Sequence, residues 1–484
     1  VPNPQEYILL GPEILLATAG LVLLLIGSIG RGLSNRESAT VSLVALGLTA
    51  VVLFRVHSSV PGRMLILQDS FVIDGFAFFW KGLILVATAL TILLSVRFLE
   101  EGNYRAAEYY SLILLASSGM MFMASGYTLL TIWISLETMA LASYILAGYF
   151  KHHIRSNEAA LKYFILGALS SGIMLYGISL LYGAAGTVQL GDHFSSELAK
   201  ALANGNMLVP LGWILLACGL FFKVSAVPFH VWTPDVYTGA PTPVTAYLAV
   251  ASKGASFAIL LRIFYEGFGA RLEWQWVVAV VAAATMIWGN LAALTQENVK
   301  RMLAYSSIAH AGYILLGVLA VSEIGLWSVL YYVLAYTFIT MGAFATVILL
   351  ERKEYAGETC ADYAGLAQRS KFLAAMMLVF LLALTGIPPT GGFFGKVYLF
   401  AAAVQAGWTW VAVIGVLTSA VSLYYYFRIV VYMYLRDSTQ ATPVPLRSPA
   451  LVGAIAFCAI ATLVLGLYPE PFIQIAKASL LPLP

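Results

Sequence analysis

The chain has 484 residues, 61% of them hydrophobic and only 10% charged, with a formal net charge of +3. A soluble globular domain is about 25% charged, so a water-facing surface of this size is excluded and the solvent must be a bilayer. The small net charge argues against a nucleic-acid partner. Three isolated cysteines (Cys218, Cys360 and Cys458) fall short of the roughly four that hold an iron–sulfur cluster.

No GxGxxG or GxxxxGK[ST] motif occurs, so nucleotide binding is not expected. Residues 1–7 hold no basic side chain, and the apolar run 8–30 is longer than a signal h-region, so this segment is not expected to be a cleaved leader. A spanning helix needs about 20 mostly apolar residues. Such stretches are predicted at about 8–29, 38–56, 76–98, 108–125, 128–149, 158–183, 207–229, 241–263, 275–295, 302–321, 325–350, 372–403, 408–435 and 449–469, fourteen in all. The expectation is an all-α polytopic membrane protein.

Basic residues in short loops orient the spans. Loops after odd-numbered spans hold Arg31, Arg36, Arg105, Lys151, Arg155, Lys300, Arg301, Arg352, Lys353, Arg369, Lys371, Arg436 and Arg447. Loops after even-numbered spans hold Arg63, Lys200 and Arg271. The odd loops are thus assigned to the cytoplasm and, with an even number of spans, both termini to the opposite side of the membrane.

Spans 7 and 12 are interrupted in a matching way, at Val227-Pro228 and at Gly386-Ile387-Pro388-Pro389. Proline removes a donor and clashes with the preceding turn, and irregular backbone at membrane depth is tolerated only where protein or a wet cavity covers it. Matched breaks in two halves are the mark of an inverted-repeat transporter. Spans 4–8 and 9–13 then form two inverted five-helix repeats, each broken in its fourth helix. The boundaries are 1–107 for spans 1–3, 108–263 and 275–436 for the repeats, and 437–484 for span 14.

An ionisable side chain at the centre of a span costs several kcal/mol unless paired or hydrated. Four stand out: Glu137 in span 5, Lys223 just before the first break, Lys253 in span 8, and Lys396 after the second break. One acid and three lysines at one depth suggest a row across the membrane plane. Burial favours the neutral form of a lysine, and a nearby carboxylate favours the charged form. A Glu137–Lys223 pair that opens and closes would therefore release and capture a proton. A two-unit pKa swing is about 2.7 kcal/mol, comparable with the roughly 2.3 kcal/mol needed to move one charge through 100 mV.

Further residues carry two readings each. His230, past the first break, is a proton relay or an interfacial histidine bonded to backbone. His310 and Tyr305, among Ser306, Ser307, Ala309 and Gly312, line a wet path or belong to small-residue helix packing. Lys162 feeds protons from the cytoplasm or snorkels to the surface. Asp74 and Lys81 read as interface anchors, and Glu13 has no assigned purpose. The run Tyr424–Phe427 reads as packing or interface anchoring. The loop 351–371 reads as a solvated cytoplasmic surface and a place for docking.

The stretch His230-Val231-Trp232-Thr233-Pro234-Asp235-Val236-Tyr237, with Gly239-Ala240-Pro241-Thr242-Pro243-Val244-Thr245-Ala246 and Ser252-Lys253, resembles the antiporter-like membrane subunits of respiratory complex I, the proton-pumping NADH:quinone oxidoreductase. Pro12-Glu13, Gln296-Glu297-Asn298-Val299-Lys300-Arg301 and Gly391-Gly392-Phe393 agree with it. The resemblance covers nearly the whole chain. It implies a Glu137–Lys223 pair, Lys253 connecting two half-channels, and Lys396 facing the exit. Within the family, Lys396 and the end of the chain soon after span 14 point to the N branch, away from M (glutamate at that place) and L (a long lateral helix). Thr238 departs from the acidic residue of many relatives, in what reads as a loop.

The resemblance also implies a subunit of a redox-driven translocase with no cofactor in this chain. NADH, FMN, iron–sulfur clusters and quinone then belong to partner subunits, and the partners are other membrane-arm subunits, further antiporter-like ones among them. Rival readings are an Mrp-type cation/proton antiporter subunit, a membrane subunit of an energy-converting hydrogenase, and a structural spacer.

Overall fold

In the computed structural model the described residues are 4–29, 33–102, 104–269, 274–351, 357–437 and 448–482. Arg31, Arg271, Arg352, Lys353 and Arg447, used above for orientation, lie outside them. A backbone in hydrocarbon must satisfy its own hydrogen bonds, and the apolar stretches accordingly fold as helices. Spans 1–6 are Gly11–Ser28, Asn35–Ser59, Gly75–Gly102, Ala106–Ser125, Leu129–Ala147 and Ile154–Ala185. Span 7 comprises half-helices 7a (Leu208–Val224) and 7b (Trp232–Gly239), and span 8 is Thr242–Phe268. Spans 9–11 are Gln275–Leu294, Val299–Leu319 and Glu323–Leu350. Half-helices 12a (Lys371–Thr385) and 12b (Gly391–Gln405) form span 12, and Thr409–Leu435 and Pro449–Leu467 complete the set.

Three features between spans were not foreseen. A two-stranded antiparallel hairpin joins spans 2 and 3, pairing Met64–Ile66 with Phe71–Ile73. Amphipathic helices Asp192–Ala203 and Glu470–Lys477 follow spans 6 and 14. Each segment is too short and too polar to cross a bilayer.

Spans 8, 10 and 11 form the centre: span 8 is wholly enclosed, whereas spans 1, 2 and 13 keep most of their surface outward. This follows composition. Span 8 carries Ser252, Lys253, Ser256 and Arg262, which cannot face lipid. Span 1 carries Leu21, Val22, Leu25 and Ile26 on its outward face.

The two breaks are built alike. Half-helix 7a ends on Ser225 at φ 63° and 12a on Gly386 at φ 87°, both left-handed. Each break leaves carbonyls that lose their helical partners, and side chains take them up. The Trp232 indole donates to Phe222 O (3.0 Å), and Lys396 donates to Leu384 O and Thr385 O (both 2.9 Å). On the far side of the first break, Val227 N donates to Thr285 Oγ1 (2.9 Å). Four spans, 8 to 11, lie between the two broken helices, an even number, so the second traverses the membrane in the opposite sense to the first.

Several sequence expectations change here. Thr238 lies in half-helix 7b, not in a loop, and its hydroxyl donates to Pro234 O (2.6 Å). The described part of the loop after span 11 is only partly solvated: Thr359, Ala361 and Gln368 are exposed, but Glu358, Cys360, Tyr363 and Leu366 are buried. Glu358 draws it inward by pairing with Lys300 (3.2 Å), itself wholly buried.

Candidate functional site

The four mid-membrane residues sit on the elements expected, and three have defined surroundings. Glu137 is half-buried on span 5, where the Ser171 hydroxyl of span 6 donates to its Oε1 (2.5 Å). Lys223 is buried at the end of 7a, with its Nζ 5.7 Å from the centre of the Tyr144 ring. Among the described residues its ammonium has no hydrogen-bond partner and no carboxylate within 4.0 Å. The Glu137–Lys223 pair is therefore open in this conformation.

Lys253 directly follows a π-helical turn, Leu248–Ser252. Such turns interrupt a helix at a cost and recur at functional sites. Its Nζ donates to Ser307 O (2.9 Å) and Ser307 Oγ (2.5 Å) of span 10. Lys396 donates to the two last-turn carbonyls of 12a and to Ser419 Oγ (2.9 Å) of span 13. Those carbonyls are the negative end of a half-helix dipole, which favours a cation. The Tyr313 ring stands 4.8 Å from the same ammonium, a cation–π distance.

Span 10 joins these two lysines. Ser307, His310 and Tyr313 recur every three residues on one helix face. Ser307 holds Lys253, and Tyr313 faces Lys396. Between them, His310 Nδ1 shares a hydrogen bond with Tyr332 OH (2.5 Å) and Nε2 with Tyr426 OH (3.2 Å). Tyr426 also bonds Ser306. Asn290 Nδ2 donates to Tyr313 OH (3.0 Å), and Tyr425 OH donates to Asn290 Oδ1 (3.0 Å). The second half thus holds three adjacent polar clusters, around Ser307, His310 and Asn290. Between Lys223 and Lys253 the contacts are aromatic: Tyr144 meets Tyr163 edge-on at 4.7 Å, and Tyr163 stacks on Trp232 at 4.6 Å.

The remaining candidates divide. Lys162 is part-exposed and ion-paired to Asp235 of 7b and to Glu158 (both 2.7 Å), so it is held in place and not free at the surface. Arg301 also reaches Asp235 (3.1 Å). Asp235, Glu158 and Arg301 border a polar cavity of about 330 Å³, with Arg155, Thr238 and Asn298 also in its lining. A cavity of this size and polarity accommodates several waters. His230 is half-buried beside the edge of Trp288 (6.1 Å), away from the row. Tyr305 is half-buried and takes no part in the His310 contacts among the described residues. Within Tyr424–Phe427, Tyr425 and Tyr426 are core members of these clusters and only Tyr424 is strongly exposed. Packing alone does not describe that run.

Sequence reading missed a second set of buried charges. Glu13 and Lys81, 0% and 2% exposed, pair at 2.5 Å, and Ser125 Oγ donates to Glu13 Oε1 (3.2 Å). Arg262, fully buried in span 8, donates to Asp74 (2.9 and 3.1 Å), to Glu266 Oε1 (2.9 Å) and to Ala124 O (3.1 Å). Arg63 closes onto Glu266 from the hairpin. Lys81 and Asp74 are therefore not interface anchors: they tie spans 1, 3 and 8 together inside the protein. Arg262 and Glu266, four apart and opposite in charge at the end of an apolar span, were the available signal.

Comparison with known proteins agrees with this arrangement. Residues 126–422 match the family model described as NADH:quinone oxidoreductase/Mrp antiporter, TM. NADH-quinone oxidoreductase subunit N 2 of Solibacter usitatus is 48% identical over 415 residues, 85% of this chain and 83% of that protein. Subunit N of Trichlorobacter lovleyi is 41% identical over 96% of this chain and 95% of its own. Among solved structures, a chain of respiratory complex I from Thermus thermophilus with bound aureothin superposes with a TM-score of 0.81 at 33% identity, covering 96% of this chain and 99% of that one. The Mrp complex from a Dietzia species shares the fold, with a TM-score of 0.85 at 23% identity over 99% and 97% of the two chains. The chain belongs to the NADH:quinone oxidoreductase/Mrp antiporter transmembrane family, on the branch whose members are called NADH-quinone oxidoreductase subunit N.

Proposed function

We propose that this chain is a proton-translocating membrane-arm subunit of an NADH:quinone oxidoreductase. The observation that carries the reading is the row itself: three lysines buried at mid-span, one of them without a hydrogen-bond partner among the described residues and two held by neutral acceptors. An unpaired buried ammonium is costly, so Lys223 is the member of the row whose charge is least compensated by its surroundings. Identities of 41–48% to proteins called subunit N support the oxidoreductase over the Mrp reading, where the likeness at 23% identity is one of fold.

In this account protons reach the row from the polar cavity at Lys162 and Asp235, on the side given to the cytoplasm by its lysines and arginines. Glu137 swings from Ser171 toward Lys223 and captures a charge there; its withdrawal drives the proton on. The aromatic stretch to Lys253 is the dry step, crossed when water enters. Ser307, His310, Tyr426 and Tyr313 then carry it to Lys396 along span 10. Residues 108–263 and 275–436 act as the two half-channels, with 1–107 and 437–484 flanking them. Electron transfer takes place in partner subunits, which hold NADH, FMN, iron–sulfur clusters and quinone, and both termini lie on the periplasmic side of the bacterial inner membrane.

The test is co-purification. With the chain tagged and the membrane solubilised mildly, NADH-dependent quinone reduction is expected in a large assembly carrying the tag. Recovery of the chain with small membrane proteins alone, and no electron-transfer activity, would replace this reading with the antiporter one.

A further inference from the structure

The step from Lys223 to Lys253 crosses aromatic rings, and a ring carbon carries no transferable proton. The stretch needs a group that can both give a proton and take one, which a hydroxyl can. The Trp232 indole cannot serve: it only donates, and its N–H is committed to Phe222 O (3.0 Å). Tyr237 can. Its side chain is wholly buried, and its hydroxyl has no hydrogen-bond partner among the described residues. Buried hydroxyls in folded proteins are nearly always bonded to protein or to ordered water. One that passes protons on must exchange partners, so a fixed bond to a neighbouring side chain would disqualify it.

Half-helix 7b sets that hydroxyl between the two halves of the row. The helix packs against span 6 on one side and span 10 on the other. Thr245 Oγ1 of span 8 donates to Tyr237 O (2.9 Å) and holds the end of 7b in place. Toward Lys223, the Tyr237 ring meets Trp232 edge-on at 6.1 Å, and Trp232 stacks on Tyr163, which leads back through Tyr144. Toward Lys253 stands Ser307, whose hydroxyl accepts from Lys253 Nζ (2.5 Å). Ser307 and Tyr163 both lie near enough to the Tyr237 hydroxyl to interact with it electrostatically, and neither is hydrogen-bonded to it in this conformation. Lys223 Nζ and Tyr144 OH are also buried and unpartnered among the described residues. The open polar atoms therefore run from Lys223 to the point where Ser307 takes over.

We propose that Tyr237 is the hydroxyl relay of this step, taking a proton from the Lys223 side and handing one to Lys253 through Ser307. The inference rests on the proton row proposed above and names the group that joins its two halves. The transfer balances at each atom. With Lys253 neutral, the Ser307 hydroxyl gives its proton to Nζ, Tyr237 gives its own to Ser307 Oγ, and the phenol oxygen takes a new proton from water on the Lys223 side. One proton enters and one leaves, and both hydroxyls are regenerated with their hydrogen bonds reversed.

The experiment uses the intact assembly in sealed vesicles and reads protons moved per electron. Tyr237→Phe removes the hydroxyl. 4-Fluorophenylalanine at position 237, introduced by codon suppression, restores its volume without a transferable proton. Lys223→Ala is measured alongside. Both replacements of Tyr237 are expected to lose as much translocation as Lys223→Ala, because the same path is cut at either point. Translocation regained with 4-fluorophenylalanine shows a packing role and overturns the proposal. Normal translocation in Tyr237→Phe beside a severe loss in Lys223→Ala also overturns it and leaves the row standing, whereas normal translocation in both removes the row and the relay together. Should both replacements fail to assemble, cryo-microscopy of the parent complex decides. Ordered water within hydrogen-bond distance of the Tyr237 hydroxyl supports the relay, and a side chain sealed onto that oxygen, or no such water, contradicts it.

Discussion

At the scale of single residues, the chemistry is set by which charges find partners. Lys396 is held by two carbonyls and one hydroxyl, all neutral. Lys396→Leu is expected to abolish proton output, with some loss of stability because the Leu384 and Thr385 carbonyls lose their donor; protons moved per electron in the protein that does assemble check it. Glu137→Gln keeps the Ser171 hydrogen bond but carries no charge, so pumping should fall nearly as far as with loss of Lys223. Glu137→Asp, one methylene shorter, should do less damage. Arg262 is a different case. Removing one partner of a buried pair leaves the others uncompensated, at a cost of about 3–5 kcal/mol. Arg262→Gln is therefore expected to lower the amount of assembled protein, measured by quantitative blotting of membranes, before any effect on pumping per electron is visible. The ionisable residues themselves were legible in the sequence because a charge in an apolar run is conspicuous. Their partners were not: Ser307, Tyr332 and Tyr426 come from distant spans, and hydroxyls in an apolar run carry no distinguishing pattern.

At the scale of elements, the broken helices matter most. A half-helix ending inside the membrane exposes carbonyls that demand a donor, and 12a obtains Lys396 as that donor. Gly386 sits at φ 87°, and a Cβ there would come 3.0 Å from Lys396 Cδ. Gly386→Ala should therefore cost about 1–2 kcal/mol through the left-handed backbone and shift the lysine from its carbonyls. The expected outcome is reduced pumping per electron with the assembly retained; unchanged pumping would separate the break from the lysine. The breaks were visible in the sequence as Pro and Gly at membrane depth. The π-helical turn before Lys253 was not, because Leu248–Ser252 holds neither residue, and its geometry comes from packing against spans 3, 4 and 11. Boundaries of most spans were legible within a few residues. The second half of span 7 was not, since Trp232–Gly239 is too short and too polar to register as a membrane helix.

At the scale of the molecule, two systems of buried charge run through the spans, apart from the Lys162–Asp235–Arg301 cluster and the Lys300–Glu358 pair. One is the row from Glu137 to Lys396, which is proposed to move protons. The other is the pairing of Glu13, Lys81, Asp74, Arg262, Glu266 and Arg63, which ties spans 1–3 to span 8. Sequence reading located the first and read Asp74 and Lys81 of the second as surface anchors, because proximity to a span end says nothing about what stands opposite. The orientation argument likewise counted Lys300 as a loop charge, although it is buried against Glu358. A cysteine-reactive, membrane-impermeant label applied to intact cells tests the orientation: His193→Cys, exposed after span 6, should react, and Glu101→Cys, exposed after span 3, should not.

The most direct test of the central claim is Lys223→Ala in the intact assembly, measured as protons moved per electron in sealed vesicles. Lys223 has no hydrogen-bond partner to lose among the described residues, so folding and NADH-dependent quinone reduction should persist while translocation falls severely. Normal translocation at a normal electron-transfer rate would contradict the account, because a buried row that works without its unpaired member is not the path of the proton.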